Sequence, residues 1–124
     1  MIDFDSDSVF KLSEIDVDKV EHIYEMMLVD GEEIFAAFKT VRDSVVFTNK
    51  RVIACNIQGM TGKRKDYTSL PYSKIQAYSV ETAGLLDMDC ELDLWFSPIG
   101  NVRFEISGGF DIRSFNQILS RYIL

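Results

Sequence analysis

SVVFTNKRVIACNIQGMTGKRKDYTSLPYSKIQAYSVETA, residues 44–83, decides how this chain folds. It opens with two β-branched runs, residues 44–48 and 51–57, that meet at Asn49-Lys50. Asn tolerates positive φ, so a tight hairpin is expected there. Gly59-Met60-Thr61-Gly62 then reverses the chain into a strand at residues 63–70. Pro71 interrupts, because proline has no N–H to give a central ladder, and a further strand is expected at residues 74–80. Short β-rich runs separated by turn residues read as sheet, not helix.

Outward from this stretch the pattern continues in both directions. Residues 32–41 read as a preceding strand with Ile34, Ala36 and Phe38 on one face, followed by an Arg42-Asp43 turn. Downstream, Leu92, Leu94 and Phe96 alternate inward, and Pro98-Ile99-Gly100-Asn101 leads to Val102, Phe104 and Ile106. Two helices flank the strands. Residues 1–12 are acidic and are expected to form a loosely held arm. Ser13 and Asp16 resemble a capping box. Val17, Val20, Tyr24, Met27 and Leu28 then recur at helical spacing as far as Asp30-Gly31. The last helix starts at Asp111, its N-cap, and carries Ile112, Phe115, Ile118, Leu119 and Tyr122 on one face. The expected fold is mainly β with capping helices: seven short strands in a barrel or sandwich, an N-terminal helix, and a C-terminal helix over an open end. Residues 1–30 form the arm and helix and residues 31–124 the β domain, all within one compact unit.

A chain of 124 residues with 47% hydrophobic and 12% aromatic residues has material for a single core. Its net charge of −7 argues against general nucleic-acid affinity, which needs Lys and Arg to displace counterions. No apolar run approaches membrane-spanning length, and the N-terminus is acidic where a secretory signal is basic, so a soluble cytoplasmic protein is expected. Cys55 and Cys90 lack CxxC spacing and histidine partners; they read as reduced, packed side chains and not as zinc ligands. His22 stands between Glu21 and Glu25 on a helix surface. No nucleophile elbow is present, and the glycines of GMTGKR are too close for a phosphate loop. Neither catalysis nor a cofactor is expected.

Charge is unevenly placed. Residues 39–74 hold eight basic and two acidic residues, a balance of +6, and the remainder is −13. Lys63-Arg64-Lys65 is the basic cluster, read as solvated surface, as a site for an anionic headgroup or phosphate, or as a subunit contact. Asp87, Asp89, Glu91 and Asp93 fall at every second position, so a strand would line them along one face. Water, a cation or the basic segment of a second copy are the three ways to relieve their repulsion. In the last case Lys63 and Lys65 of one subunit face Glu91 and Asp93 of the next. Trp95, on the face opposite Leu94 and Phe96, is either packed under the N-terminal helix or an interface anchor.

Three segments carry a resemblance: Thr48-Asn49-Lys50-Arg51 before Val52-Ile53; Tyr67-Thr68-Ser69-Leu70-Pro71-Tyr72-Ser73-Lys74-Ile75; and Glu91-Leu92-Asp93-Leu94-Trp95-Phe96. They resemble the bacterial pleckstrin-homology domains, which share a fold with the eukaryotic pleckstrin-homology and GRAM domains, over roughly residues 31–124. The resemblance implies a seven-stranded barrel of two near-orthogonal sheets closed by the C-terminal helix, ring-like homo-oligomers and no enzymatic activity. Eukaryotic relatives that bind phosphoinositides use basic residues around the first hairpin loop; here the Arg42-Asp43 turn is short and lacks a dense basic cluster. Two functions are therefore expected to compete. One is a self-assembling, non-enzymatic module that also binds a protein partner. The alternative is binding of anionic lipid headgroups or phosphorylated ligands at a membrane surface through Lys50, Arg51, Lys63, Arg64 and Lys65.

Overall fold

A computed structural model describes residues 11–82 and 89–124. In chain order the elements are β1 (Lys11–Ile15), α1 (Val17–Tyr24), β2 (Ile34–Lys39), β3 (Ser44–Thr48), β4 (Arg51–Gln58) and β5 (Arg64–Pro71). A 3-10 turn at Tyr72–Lys74 leads into β6 (Ile75–Thr82), β7 (Cys90–Phe96), β8 (Gly100–Ser107) and α2 (Ile112–Ile123). The strands join in one sheet of order β5-β4-β3-β2-β1-β8-β7-β6. All seven expected strands are present. Inward alternation holds for Leu92, Leu94, Phe96, Val102, Phe104 and Ile106, all buried, and Asp111 caps α2 by accepting the Ser114 N–H at 3.1 Å.

The eighth strand, β1, was not expected. Lys11–Ile15 lies where the sequence suggests an arm and a helix cap, yet it runs antiparallel to β2 and parallel to β8. Ser13 is thus a strand residue paired with Lys39 and Ser107, and no capping box forms. Asp16 stands at the helix boundary without a side-chain cap bond, and α1 is eight residues long instead of about twelve. The gain from β1 is backbone hydrogen bonding on both sides plus complete burial of Leu12, which outweighs a weak local preference in KLSEI.

Two apolar clusters lie on opposite faces of the sheet. The larger joins Phe38, Phe47, Val52, Leu94 and Phe104 to Phe115 and Leu119 of α2. Phe115 stands edge-on to Phe38, Phe47 and Phe110, at centroid separations of 5.9, 4.9 and 5.1 Å. The smaller sets Val20 and Tyr24 of α1 over Ala37, Val46, Ile53 and Cys55. Because α1 covers the outer face of β2–β4, residues on both faces of β3 are buried. This explains why its sequence is continuously apolar at Val45-Val46-Phe47 instead of alternating.

Candidate functional site

The β3–β4 hairpin is a clamp. Glu32, fully buried at its side chain, pairs bidentately with Arg51: Oε2 to Nε and Oε1 to Nη2, each 2.9 Å. Arg51 also donates to the Met27 carbonyl, and to Ser69 Oγ at 2.9 Å. Glu32 further accepts from Thr48 Oγ1 at 2.7 Å and the Val29 N–H at 3.1 Å. Burial acts to raise the Glu32 pKa, but these donors together outweigh it and hold the carboxyl at about 2. The turn needs no positive φ at Asn49. Instead Thr48 Oγ1 accepts the Lys50 and Arg51 N–H groups at 3.0 Å, and Asn49 Oδ1 accepts the Glu33 N–H at 2.8 Å.

The residues Lys50, Arg51, Lys63, Arg64 and Lys65 do not form one site. Pairing runs from Arg51↔Pro71 to Gln58↔Arg64, so the two groups stand about 23 Å apart at opposite ends of the β4–β5 ladder. Arg51 is already committed to Glu32, whereas Lys50 is exposed. Lys63, Arg64 and Lys65 are exposed at the other end, where two turns meet. Arg42 Nη2 donates to the Gly59 carbonyl at 2.7 Å, and Asp43 accepts from the Ile57 N–H at 2.9 Å and Asn56 Nδ2 at 3.0 Å. Gly59 and Gly62 take φ of +80° and +66°, a region that side-chain-bearing residues seldom enter. These bonds lock the β2–β3 and β4–β5 turns into one basic rim, and they leave Val41 and Met60 fully exposed, at 101% and 104%. Sequence reading missed both tips; an aliphatic residue inside each charged turn was the available signal.

Across the sheet, the outer face of β6–β8 has no covering helix among the described residues. Glu81, Glu91 and Glu105 lie directly opposite one another there, with Lys11 opposite Glu105. A cleft of about 410 Å³ adjoins them, with Cys90, Ile106 and Ser107 also in its wall. Burial pushes the Cys90 thiol up to about 11, so it stays protonated and inert near neutrality. Of the alternating carboxylates, Asp87 lies outside the described residues. Asp93 is 4% exposed and bound to Arg103 Nε at 2.8 Å, while Glu91 stands 3.9 Å from the same nitrogen. Arg103, which the sequence reading did not single out, thus neutralises Asp93 within its own chain. Among the described residues no group of three or more His, Cys, Asp or Glu is placed to hold a metal ion. Trp95 projects outward between Ala77 and Asn101, 37% exposed, and is not beneath α1. No helix of the described residues is long and apolar enough to cross a membrane.

Comparison with known proteins agrees with this architecture. The chain is 52% identical over 71 residues to the uncharacterized protein YjqA of Bacillus subtilis (strain 168), a match spanning 57% of each chain. It is 30% identical over 99 residues to the uncharacterized protein YozO of the same organism, covering 80% of this chain and 85% of that one. Among solved structures, a DUF1696 family protein with a pleckstrin-homology domain from Shewanella loihica PV-4 aligns with TM-score 0.76 and 35% identity, over 93% of this chain and 99% of that one. A pleckstrin homology domain from Shewanella amazonensis SB2B aligns with TM-score 0.64 and 42% identity, over 90% and 91%. The family model for the bacterial PH domain matches residues 3–123. It therefore includes the segment that supplies β1, and the chain belongs to the bacterial PH domain family.

Proposed function

We propose that the protein is a non-enzymatic interaction module that assembles head-to-tail with further copies of itself, closing into a ring that serves as a scaffold for a protein partner. The observation that carries this reading is the asymmetry of the sheet's two outer faces. The β2–β4 side is covered by α1, while the β6–β8 side carries an in-register acidic row and the exposed Trp95 without a covering element among the described residues. At its margin β6 is a terminal strand of the sheet, and terminal strands offer backbone donors and acceptors to another chain. Its exposed Ala77 and Ser79 present little bulk or charge against such an approach.

Light scattering at low and high salt tests the proposal. A multimer at low salt is expected. Placing lysines on the exposed face of β6, as Ala77→Lys with Ser79→Lys, should shift it toward monomer with an unchanged circular-dichroism spectrum. A protein that is monomeric at every concentration and salt would end the reading.

A further inference from the structure

We propose that the basic rim is the docking site of the chain's own acidic segment, residues 1–10, which covers it in cis. This stands apart from the assembly reading, because the two are tested by different measurements. Residues 1–10 lie outside the described residues, yet the point at which they join the fold is fixed. β1 pairs antiparallel with β2 as Ser13↔Lys39, and the same register carries Lys11 alongside Val41. The chain therefore enters β1 at the end of the sheet where β2 passes into its turn. The β4–β5 turn is at that end too, since Arg42 donates to the Gly59 carbonyl and Asp43 accepts from the Ile57 N–H. From β1 to β5 the sheet order runs through β2, β3 and β4, a distance of about 19 Å at roughly 4.8 Å per strand. Ten extended residues span about 33 Å, so the segment can reach every part of the rim.

Charge decides which way the segment runs. At Lys11 the chain has β8 on one side and β2 on the other. Toward β8 it meets Glu105, Glu91 and Glu81 in one row. Toward β2 it meets Arg42, Lys63, Arg64 and Lys65, all exposed, and among the described residues none of these four is in an ion pair. MIDFDSDSVF holds Asp3, Asp5 and Asp7 and no Lys or Arg, so the row repels it and the rim attracts it. Phe4, between two of the aspartates, brings an apolar ring to a rim whose Val41 and Met60 are exposed. The bonds between the two turns form the rim in advance, which lowers the ordering cost of docking. A tether of this length also holds the segment near the rim at an effective concentration on the order of millimolar. Contacts too weak to retain a separate chain therefore suffice in cis, and any outside acidic ligand of the rim has to displace the segment first.

Disulfide formation within the full chain tests it. Ser6→Cys is combined either with Thr61→Cys, in the β4–β5 turn, or with Thr82→Cys, at the end of β6. Both threonines are exposed, and they lie at similar strand separations from β1 on its basic and acidic sides; the native Cys55 and Cys90 are buried and contribute little background. In a glutathione buffer the Thr61→Cys chain should form its intrachain disulfide about tenfold more favourably than the Thr82→Cys chain. Asp3→Asn with Asp5→Asn and Asp7→Asn should remove most of that difference. Equal yields at the two sites would overturn the proposal, as would a difference that survives the three asparagines. Chains with Ser6→Cys alone, mixed with chains with Thr61→Cys alone, should give little covalent dimer; a dimer forming faster than the intrachain bond would assign the contact to a neighbouring copy and overturn it. Flotation of the parent with phosphatidylserine vesicles that Lys63→Glu abolishes, and that the three asparagines leave unchanged, would show the rim bare to a bilayer and also overturn it.

Discussion

At Arg51 a cation that looks like a ligand contact in the sequence turns out to be structural. Its partner Glu32 is nineteen residues away, and nothing local in either residue signals the pairing. The hairpin at Asn49-Lys50 was legible, but it is held by Thr48 and Asn49 side chains bonding backbone groups of the turn and its neighbouring loop and not by the positive φ that Asn tolerates. Breaking a buried pair leaves an uncompensated charge, so Arg51→Ala should cost about 3 kcal/mol in urea unfolding. The pH dependence follows from Glu32. Its folded pKa, about 2, lies below the ordinary value of 4.5, so its contribution is complete above 4.5 and is lost as pH falls toward 2. That contribution is on the order of 3 kcal/mol. Urea unfolding of Glu32→Gln between those pH values should show a flatter dependence than the parent, and an equally steep one would refute the assignment. Asp93 makes the complementary point: in the sequence it belongs to an acidic ladder, yet Arg103 on the neighbouring strand removes it from the surface charge.

For the elements, amphipathic periodicity was a sound guide wherever one face is buried and one exposed. α2 and the β7–β8 hairpin follow it, and Phe115 sits where its spacing requires. Phe115→Ala should cost about 3–5 kcal/mol by chemical denaturation, because four neighbouring rings lose a packing partner. β1 was illegible for the opposite reason. Five residues with a single fully buried side chain, Leu12, give no usable period, and the strand is held by backbone bonds to β2 and β8 that come from distant parts of the chain. The docking of α1 also depends on remote hydroxyls. Tyr24 and Ser44 share a hydrogen bond of 2.6 Å, and Tyr67 donates to the Ile23 carbonyl at 2.7 Å. Tyr24→Phe, which leaves Ser44 without its buried partner, should lower stability by about 1–2 kcal/mol in the same assay.

On the scale of the whole molecule, charge separation along the sequence becomes separation between surfaces: a basic rim at two locked turns, and an acidic row across β6–β8. If those surfaces meet in the assembly, its strength must follow ionic strength. Raising salt from about 0.01 M to about 1 M shortens the screening length from roughly 30 to 3 Å, and sedimentation should show dissociation toward monomer over that range. Sequence by itself determined the mainly β class, seven of the strands and the terminal plug, because periodicity and turn residues are local properties. Tertiary structure alone decided that an eighth strand enters between β2 and β8, that Arg51 and Arg103 serve carboxylates of their own chain, and that the β2–β3 and β4–β5 turns are bonded to one another. Each of those outcomes depends on which distant residues become neighbours, and pairing energies between remote groups leave no periodic mark on the chain.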